Sequence, residues 1–541
     1  MGGYEADCGW ILYLAAKCGG LDLLSLLLLA SAISLTTLLL HWAFPGGPAW
    51  GRHWWQLGHR PWFPARDDVP PGPRGLPVVG SMFLMSGLAH RNLAAAAASV
   101  PGGRRLMALS LGDTRAVVTC DPDVAREILN GSDFGDRPAK ESAYGLMFHR
   151  AIGFAPYGAY WSGLRRIAAG HLFCPRQVSA FATGRTEIAD QMVRALYRLK
   201  ADANPVQIRE VVKRASLSHV MWFVFGRRYE LVQETEEWRE LKSMVEEGYE
   251  ILGKLNWSDH LPAIAGLDLQ RVRSRCARLA RRVDRFVTRI VDEHRVERDS
   301  GDRDAPPRDF VDVLLSLQGA DRLSDDDMVA VLWEMIFRGA DTVAVLIEWV
   351  LARLAKHGDV QSRLHAELDE AVGSDGAVTG SGPRRPLPYL QAVIKETLRV
   401  HPPGPLLSWA RIATSDVRVA GGRYLIPAGT TAMVNMWAIA RDPAHWPDPL
   451  VFDPLRFEGT EFPVTGSDLR LAPFGSGRRS CPGKGLAMAT VELWVAALAH
   501  EFEWRPPEGE EIDLSEVLRL SCEMAAPLKV SLRGRRKWAA T

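Results

Sequence analysis

No two of the seven cysteines in this chain form a Cys-X-X-Cys pair, and their number is odd. Cys8, Cys18, Cys120, Cys174, Cys276, Cys481 and Cys522 are scattered along 541 residues. That distribution argues against a disulfide framework and against a structural zinc site. Neither sign of charge is in excess: Lys and Arg number 65, Asp and Glu 64. Without a basic surplus no partnership with nucleic acid is expected, and any anion-binding patch must be local. Internal repeats are absent. The remaining composition, 47% apolar and 24% charged, is that of an ordinary globular protein.

What is present begins with an uncharged run, LLSLLLLASAISLTTLLL at Leu23 to Leu40, extended by His41, Trp42, Ala43 and Phe44. Its length of about 20 residues suits a helix crossing a bilayer core. A cleavable signal peptide has a shorter apolar region and a small-residue cleavage site after it. This run ends instead on Trp42 and Phe44, which suit a membrane interface. Lys17 precedes it, while Arg52, Arg60 and Arg66 follow, so the positive-inside rule puts the following chain in the cytosol. Residues 1–44 therefore read as a membrane anchor, with the lipid bilayer as partner.

Residues 45–80 read as a linker ending in VPPGPRGLPVVG, whose four prolines predict a stiff extended strap holding the body off the bilayer. A plain linker fits the same composition. From residue 81 to 541 the pattern is mainly α with a minor β-sheet region; AVVTC (Ala116 to Cys120) is one of the strand-like pieces. The strongest helix signal runs from an N-cap at Ser324, followed by three aspartates at the positive dipole end, to about Lys356, with Gly358 as the stop.

Midway along that helix lies FRGADTVA. Gly339 costs about 1 kcal/mol relative to Ala in a helix interior, and Thr342 can bond back to a carbonyl one turn earlier. Together they predict a bulge beside Asp341 and Thr342, more often a packing kink than a site. Further on, Glu396 and Arg399 share a helix face in KETLRV, and an apolar setting predicts a buried pair with Arg456 of FDPLRF as a third member. In PFGSGRRSCPG, Cys481 stands just ahead of an apolar helix, where dipole and free amides favour thiolate. Gly475, Gly477 and Gly483 allow close approach to a flat ligand, Phe474 can cover the sulfur, and Arg479 can reach an anionic edge. A lone thiolate with such a ligand suggests haem on a cysteine axial bond.

The spacing Phe474, Gly477, Arg479, Cys481, Gly483 resembles the haem-binding loop of the cytochrome P-450 monooxygenases. FRGADTV is similar to their oxygen-activating helix segment, Glu396 and Arg399 to their helix pair, and Pro454, Arg456 and Phe457 to their meander. Trp161 and Arg165 of YWSGLRR match the helix that touches a haem propionate. The resemblance runs from the proline strap to the end of the chain. Three longer stretches (SAYGLMFHRAIGFAPYGAYWSGLRRIA, EMIFRGADTVAVLIEW and HPPGPLLSWARIA) resemble the plant subfamily of KLUH and the plastochron-type growth regulators.

This resemblance implies a cytochrome P-450 fold behind one transmembrane helix, a haem-thiolate catalytic domain over 81–541, and haem b held by Cys481. It implies propionate contacts from Trp161, Arg165, Arg411 and Arg479, and proton delivery by Thr342 with Asp341. Electrons would come from NADPH through the FAD and FMN of a membrane-bound NADPH–cytochrome P-450 reductase. A lipophilic small molecule, a fatty acid or related lipid, would be hydroxylated at the endoplasmic reticulum membrane, in the control of organ or seed growth. Ile336, Phe337, Leu406 and Leu407 would line the pocket, with ordinary core as the alternative for Ile336. Two departures stand out. Arg338 replaces a usual small residue, pointing outward or reaching an acidic group, and Val343 replaces a second hydroxyl. A haem-thiolate isomerase or dehydratase acting without reductase, and a non-enzymatic haem sensor, are the competing classes; Asp341 and Thr342 weigh against both.

Overall fold

The computed structural model describes residues 23–56, 68–202, 204–300, 306–373, 378, 386–407 and 410–536. Lys17, Arg60 and Arg66, used above for orientation, lie outside these residues, as do Cys8 and Cys18. Helix α1, Leu23–Trp42, has a mean hydropathy of 2.3 and no buried residue. An apolar helix with no buried residue, joined to the body only near its C-terminal end, fits a single-pass membrane anchor.

The chain then turns at once into α2, Pro48–Gln56. Trp50 is fully buried, and its indole donates to the Leu109 carbonyl at 3.1 Å. Ser110 Oγ accepts from the Ala49 amide at 3.0 Å and donates to the Gly46 carbonyl at 2.7 Å. The two helices meet so closely that a Cβ on Gly51 would lie 2.1 Å from the His41 carbonyl oxygen. The proline segment is likewise no free strap. The Ala108 amide donates to the Pro71 carbonyl at 2.8 Å, and Trp42 Nε1 donates to the Gly75 carbonyl at 2.8 Å. The reason is an edge: Ala108 lies on β1, Met107–Leu111, the outermost strand of its sheet, whose free amide needs a partner. The expected linker over 45–80 is thus, where described, packed on the body.

The sheet runs in the order β1, β2 (Thr114–Thr119), β4 (Thr431–Val434), β3 (Arg411–Ile412). Strands β2 and β4 are parallel, with Ala116 opposite Thr431; the other pairs are antiparallel. The helical body includes α3 (Ala159–His171), α4 (Arg209–Phe225), α5 (Asp325–Lys356), α6 (Pro388–Val400) and α7 (Lys484–Glu501). This is the mainly helical architecture with small sheets that the pattern predicts.

Helix α5 begins as expected, with Ser324 Oγ accepting from the Asp327 amide at 3.2 Å. Its 32 residues span about 48 Å. Residues Met328 to Ala340 lie in one apolar core and Ala344 to Ala355 in another. The segment with Asp341 and Thr342 therefore falls on the seam between two cores. Two expectations fail here. The helix is unbroken α through Gly339, with no bulge, because the glycine serves packing: a Cβ would sit 2.7 Å from Val220 Cγ2 of α4. Gly358 is not the stop. His357 ends α5, and Gly358 opens the next helix, Gly358–Val372.

Candidate active site

Cys481 lies three residues before α7, which is capped by Gly483. Gly475 and Gly477 both take left-handed backbone, φ 70° and 69°, which folds the loop back so that the Cys481 amide donates to the Phe474 carbonyl at 2.9 Å. The thiol faces an internal cavity of about 280 Å³. Burial there pushes its pKa up; the charge of Arg338, the Gly483 amide, Arg165 and Lys484 work the other way. The helix end does not by itself secure a thiolate, because withdrawal from water outweighs it. A cation bonded to sulfur would.

Across the cavity α5 presents Met335, Arg338, Gly339, Thr342, Val343 and Leu346, one face at alternating spacings of three and one. Ile336 and Phe337 are fully buried and turned away from it; Tyr249 stacks on Phe337 with ring centroids 4.4 Å apart. Both are core, not lining. Leu407 lines the cavity, whereas Leu406 packs against the apolar cluster beside the sheet.

Trp161, Arg165, Arg411, Phe474 and Arg479, drawn from α3, β3 and the cysteine loop, all reach the cavity. Arg165 donates to the Ser480 carbonyl at 2.8 Å, and Arg479 donates to the carbonyls of Gly135 and Ala155, each at 2.7 Å. The Arg479 guanidinium lies 4.7 Å over the Trp161 ring. Burial first, then the charges of Arg479 and Arg165, brings Arg411 down to about 10, and burial with the Arg165 charge, against Asp136 and Glu334, brings Arg479 down to about 10. Arg411 Nε is buried with no hydrogen-bond partner, and Asp136 stands 3.5 Å from Arg479. Clustered guanidiniums short of anions, opposite a thiol, fit a flat group carrying two carboxylates, as haem does.

Asp341 does not join Thr342 in the cavity. One residue further along a helix turns the side chain by about 100°, and Asp341 faces α4, with Lys213 at 3.5 Å. Lys213 also pairs with Glu523 at 3.1 Å. Burial raises the Asp341 pKa, opposed first by Lys213. Arg338 does not point away from the protein: it lines the cavity and bears on Glu334, one turn earlier.

Glu334 and Arg137 also line the cavity and escaped the sequence reading. Glu334 Oε1 accepts from the Gly153 amide at 2.7 Å, while its Oε2 is buried without a partner. Arg137 Nε donates to the Gly153 carbonyl at 3.2 Å. A Glu-Arg pair four residues apart inside an apolar helix was the signal available.

The Glu396–Arg399 pair lies off the cavity and fastens the chain around it. Both side chains are fully buried and joined by two contacts of 2.7 Å. Arg456 lies 3.5 Å from Glu396, as expected of a third member.

A family model described as Cytochrome P450 matches residues 70–525. The chain is 57% identical to "Cytochrome P450 78A9" of Arabidopsis thaliana over 539 residues, 98% of each chain. It is 54% identical to "Cytochrome P450 78A3" of Glycine max over 97% of this chain and 98% of that one. A "Trimethyltridecatetraene synthase" of Zea mays is 37% identical over 85% of this chain and 87% of its own.

Proposed function

Because this chain belongs to the cytochrome P450 family, whose members are monooxygenases, we propose that it hydroxylates a lipophilic small molecule, a fatty acid or related lipid, at the endoplasmic reticulum membrane. The observation that carries the reading is Cys481 at the head of α7, facing the cavity beneath Thr342 within a ring of arginines. Cys481 is the iron ligand in this reading. Trp161, Arg165, Arg411 and Arg479 hold the two carboxylates, and Phe474 shields the sulfur. Bound there, haem supplies activation of O2 and insertion of one oxygen atom into a C–H bond. NADPH–cytochrome P-450 reductase delivers the electrons.

The protein's own part is position and proton control. Thr342 holds a hydroxyl at the cavity face and passes a proton inward. Asp341, turned toward Lys213, acts through water or by rotation rather than by direct contact. Met335, Val343, Leu346 and Leu407 give the substrate an apolar wall, and α1 brings it from the bilayer. A place in organ or seed growth control rests on the resemblance of three longer stretches, EMIFRGADTVAVLIEW among them, to the plastochron-type growth regulators.

The test is optical. Reduced protein under carbon monoxide should show the strongly red-shifted Soret band of thiolate ligation, and Cys481→Ala should abolish it. NADPH consumption with reductase present should then depend on added lipid. A band that survives Cys481→Ala would assign the ligand elsewhere.

A further inference from the structure

His294 stands near the C-terminal end of the helix Val272–Ser300, with Asp309 and Asp312 on the segment packed against it. All three are nearly sealed from solvent, exposed by 7%, 6% and 4%. A ring nitrogen and one oxygen of each carboxylate lie within 4.8 Å of one another. None of the three lines the cavity of Cys481. Buried carboxylates persist in proteins where they are paired or hold a metal.

The hydrogen bonds decide which atoms face the middle of this group. His294 Nδ1 lies 2.8 Å from the Ile290 carbonyl oxygen, which can only accept, so Nδ1 carries the ring proton. The Nε2 lone pair of the neutral ring then points at Asp309 Oδ2, 2.9 Å away. Two acceptors so close repel each other unless positive charge joins them, either a second ring proton or a cation. The other oxygens separate these cases. Asp309 Oδ1 accepts from the Asp312 amide at 3.0 Å, and Asp312 Oδ2 accepts from Arg308 Nε at 2.9 Å. Asp312 Oδ1 is buried with no hydrogen-bond partner among the described residues. A second ring proton would satisfy Nε2 and Asp309 and leave that oxygen stranded. A cation held by all three groups satisfies each of them.

We propose that His294 Nε2, with one oxygen each of Asp309 and Asp312, forms a site for a divalent transition-metal ion, zinc by its ligand set. Zinc takes imidazole nitrogen and carboxylate oxygen. A ring whose second N–H is held by a backbone carbonyl is the usual arrangement of a metal-binding histidine. Two ligands about 2.1 Å from a tetrahedral ion stand roughly 3.4 Å apart, so the pair at 2.9 Å opens by only about 0.5 Å. Cysteine spacing gives no sign of such a site, because none of its ligands is sulfur. The ion's role is to tie chain segments together. Gly226 closes α4 in left-handed backbone, φ 64°, and a Cβ there would meet Asp309 Oδ2 at 2.7 Å. The ion therefore braces the end of α4, the helix whose His219 and Val220 line the cavity.

The experiment uses full-length holoprotein in detergent, purified without a metal column and stripped with a chelator. Equilibrium dialysis against zinc chloride should show one zinc per chain with a Kd below about 1 µM. Binding should tighten between about pH 6 and 8, because Nε2 must be free of protons to bind. X-ray absorption at the zinc edge should show a nitrogen and oxygen shell with no sulfur. His294→Asn and the isosteric Asp312→Asn should each weaken binding at least tenfold and abolish the rise in melting temperature that zinc gives the wild type. Wild-type protein that takes up no zinc below about 10 µM overturns the proposal and leaves an imidazolium–carboxylate pair; that measurement needs no variant to fold. Zinc retained in both variants means an adventitious ion only, and a sulfur shell places the ion on a cysteine elsewhere; each overturns it equally.

Discussion

Replacing Arg399 by leucine should unseat the segment 440–453 without touching the cavity. Arg399 donates two bonds to Glu396, and further bonds to the carbonyls of Ala440 at 2.9 Å, Pro449 at 2.8 Å and Val451 at 3.1 Å. Glu396 also accepts from the Asp453 amide at 2.9 Å. Breaking a fully buried pair by removing one partner costs about 3–5 kcal/mol, and each stranded carbonyl adds about 1 kcal/mol. The sum reaches the whole stability of a typical domain, about 5–15 kcal/mol. The informative control is Glu396→Leu with Arg399→Leu. Were the arginine there only for its glutamate, two leucines would restore stability, as apolar replacements of buried pairs often do. Here three carbonyls and the Asp453 amide would still lack partners, so about 4 kcal/mol of loss should persist. The assay follows the thiolate carbon monoxide band against temperature and urea in the three proteins. A double variant within about 1 kcal/mol of wild type would refute this account of Arg399 as a hub for residues 440–453.

Thr342→Ala should keep haem and NADPH oxidation but divert most reducing equivalents to hydrogen peroxide, with Thr342→Ser recovering part of the product; product, peroxide and NADPH measured together decide this, and unchanged coupling would return Thr342 to a packing role. For Glu516, burial acts to raise the pKa but is outweighed by His90 at 2.9 Å and Arg91 at 2.6 Å, bringing it to about 2. A depressed carboxylate stabilises the fold above its unfolded value of about 4.5 and loses that contribution as pH falls toward 2; the amount is about 3 kcal/mol, so acid unfolding followed by tryptophan fluorescence should flatten over this window in Glu516→Gln. Deleting residues 1–44 should release much of the protein from carbonate-washed membranes in folded form, whereas deletion through residue 56 also removes Trp50 and should cost about 3–5 kcal/mol, read as a lower melting temperature.

The parts of this site that were legible in the sequence are those whose chemistry is local. Cys481 is followed within three residues by a helix start, Ser324 caps its own helix, and Glu396 and Arg399 meet on one face at a spacing of three. What was not legible depends on rotation or on distant chain. Asp341 and Thr342 are neighbours in sequence, yet the helical turn sends one to Lys213 and the other into the cavity. A helix apolar on nearly every side gives no phase, so Ile336 and Phe337 could not be told from Met335. The proline segment bonds to β1 because that strand has an open edge, and nothing within the segment itself announces this.

The joint between α1 and α2 has a mechanical consequence. A 20-residue helix is about 30 Å long, close to the thickness of a hydrocarbon core, and a mismatch between the two is relieved mainly by tilt. In a loosely tethered protein that tilt would be absorbed by the tether. Here Gly51 leaves no space for even a methyl group against His41, and Trp42 is bonded to the segment that edges the sheet. The anchor and the body therefore turn together, as a rudder turns with its post. A thicker or thinner bilayer changes the angle at which the body meets the headgroups, and with it the depth from which a lipid starts its path to Thr342.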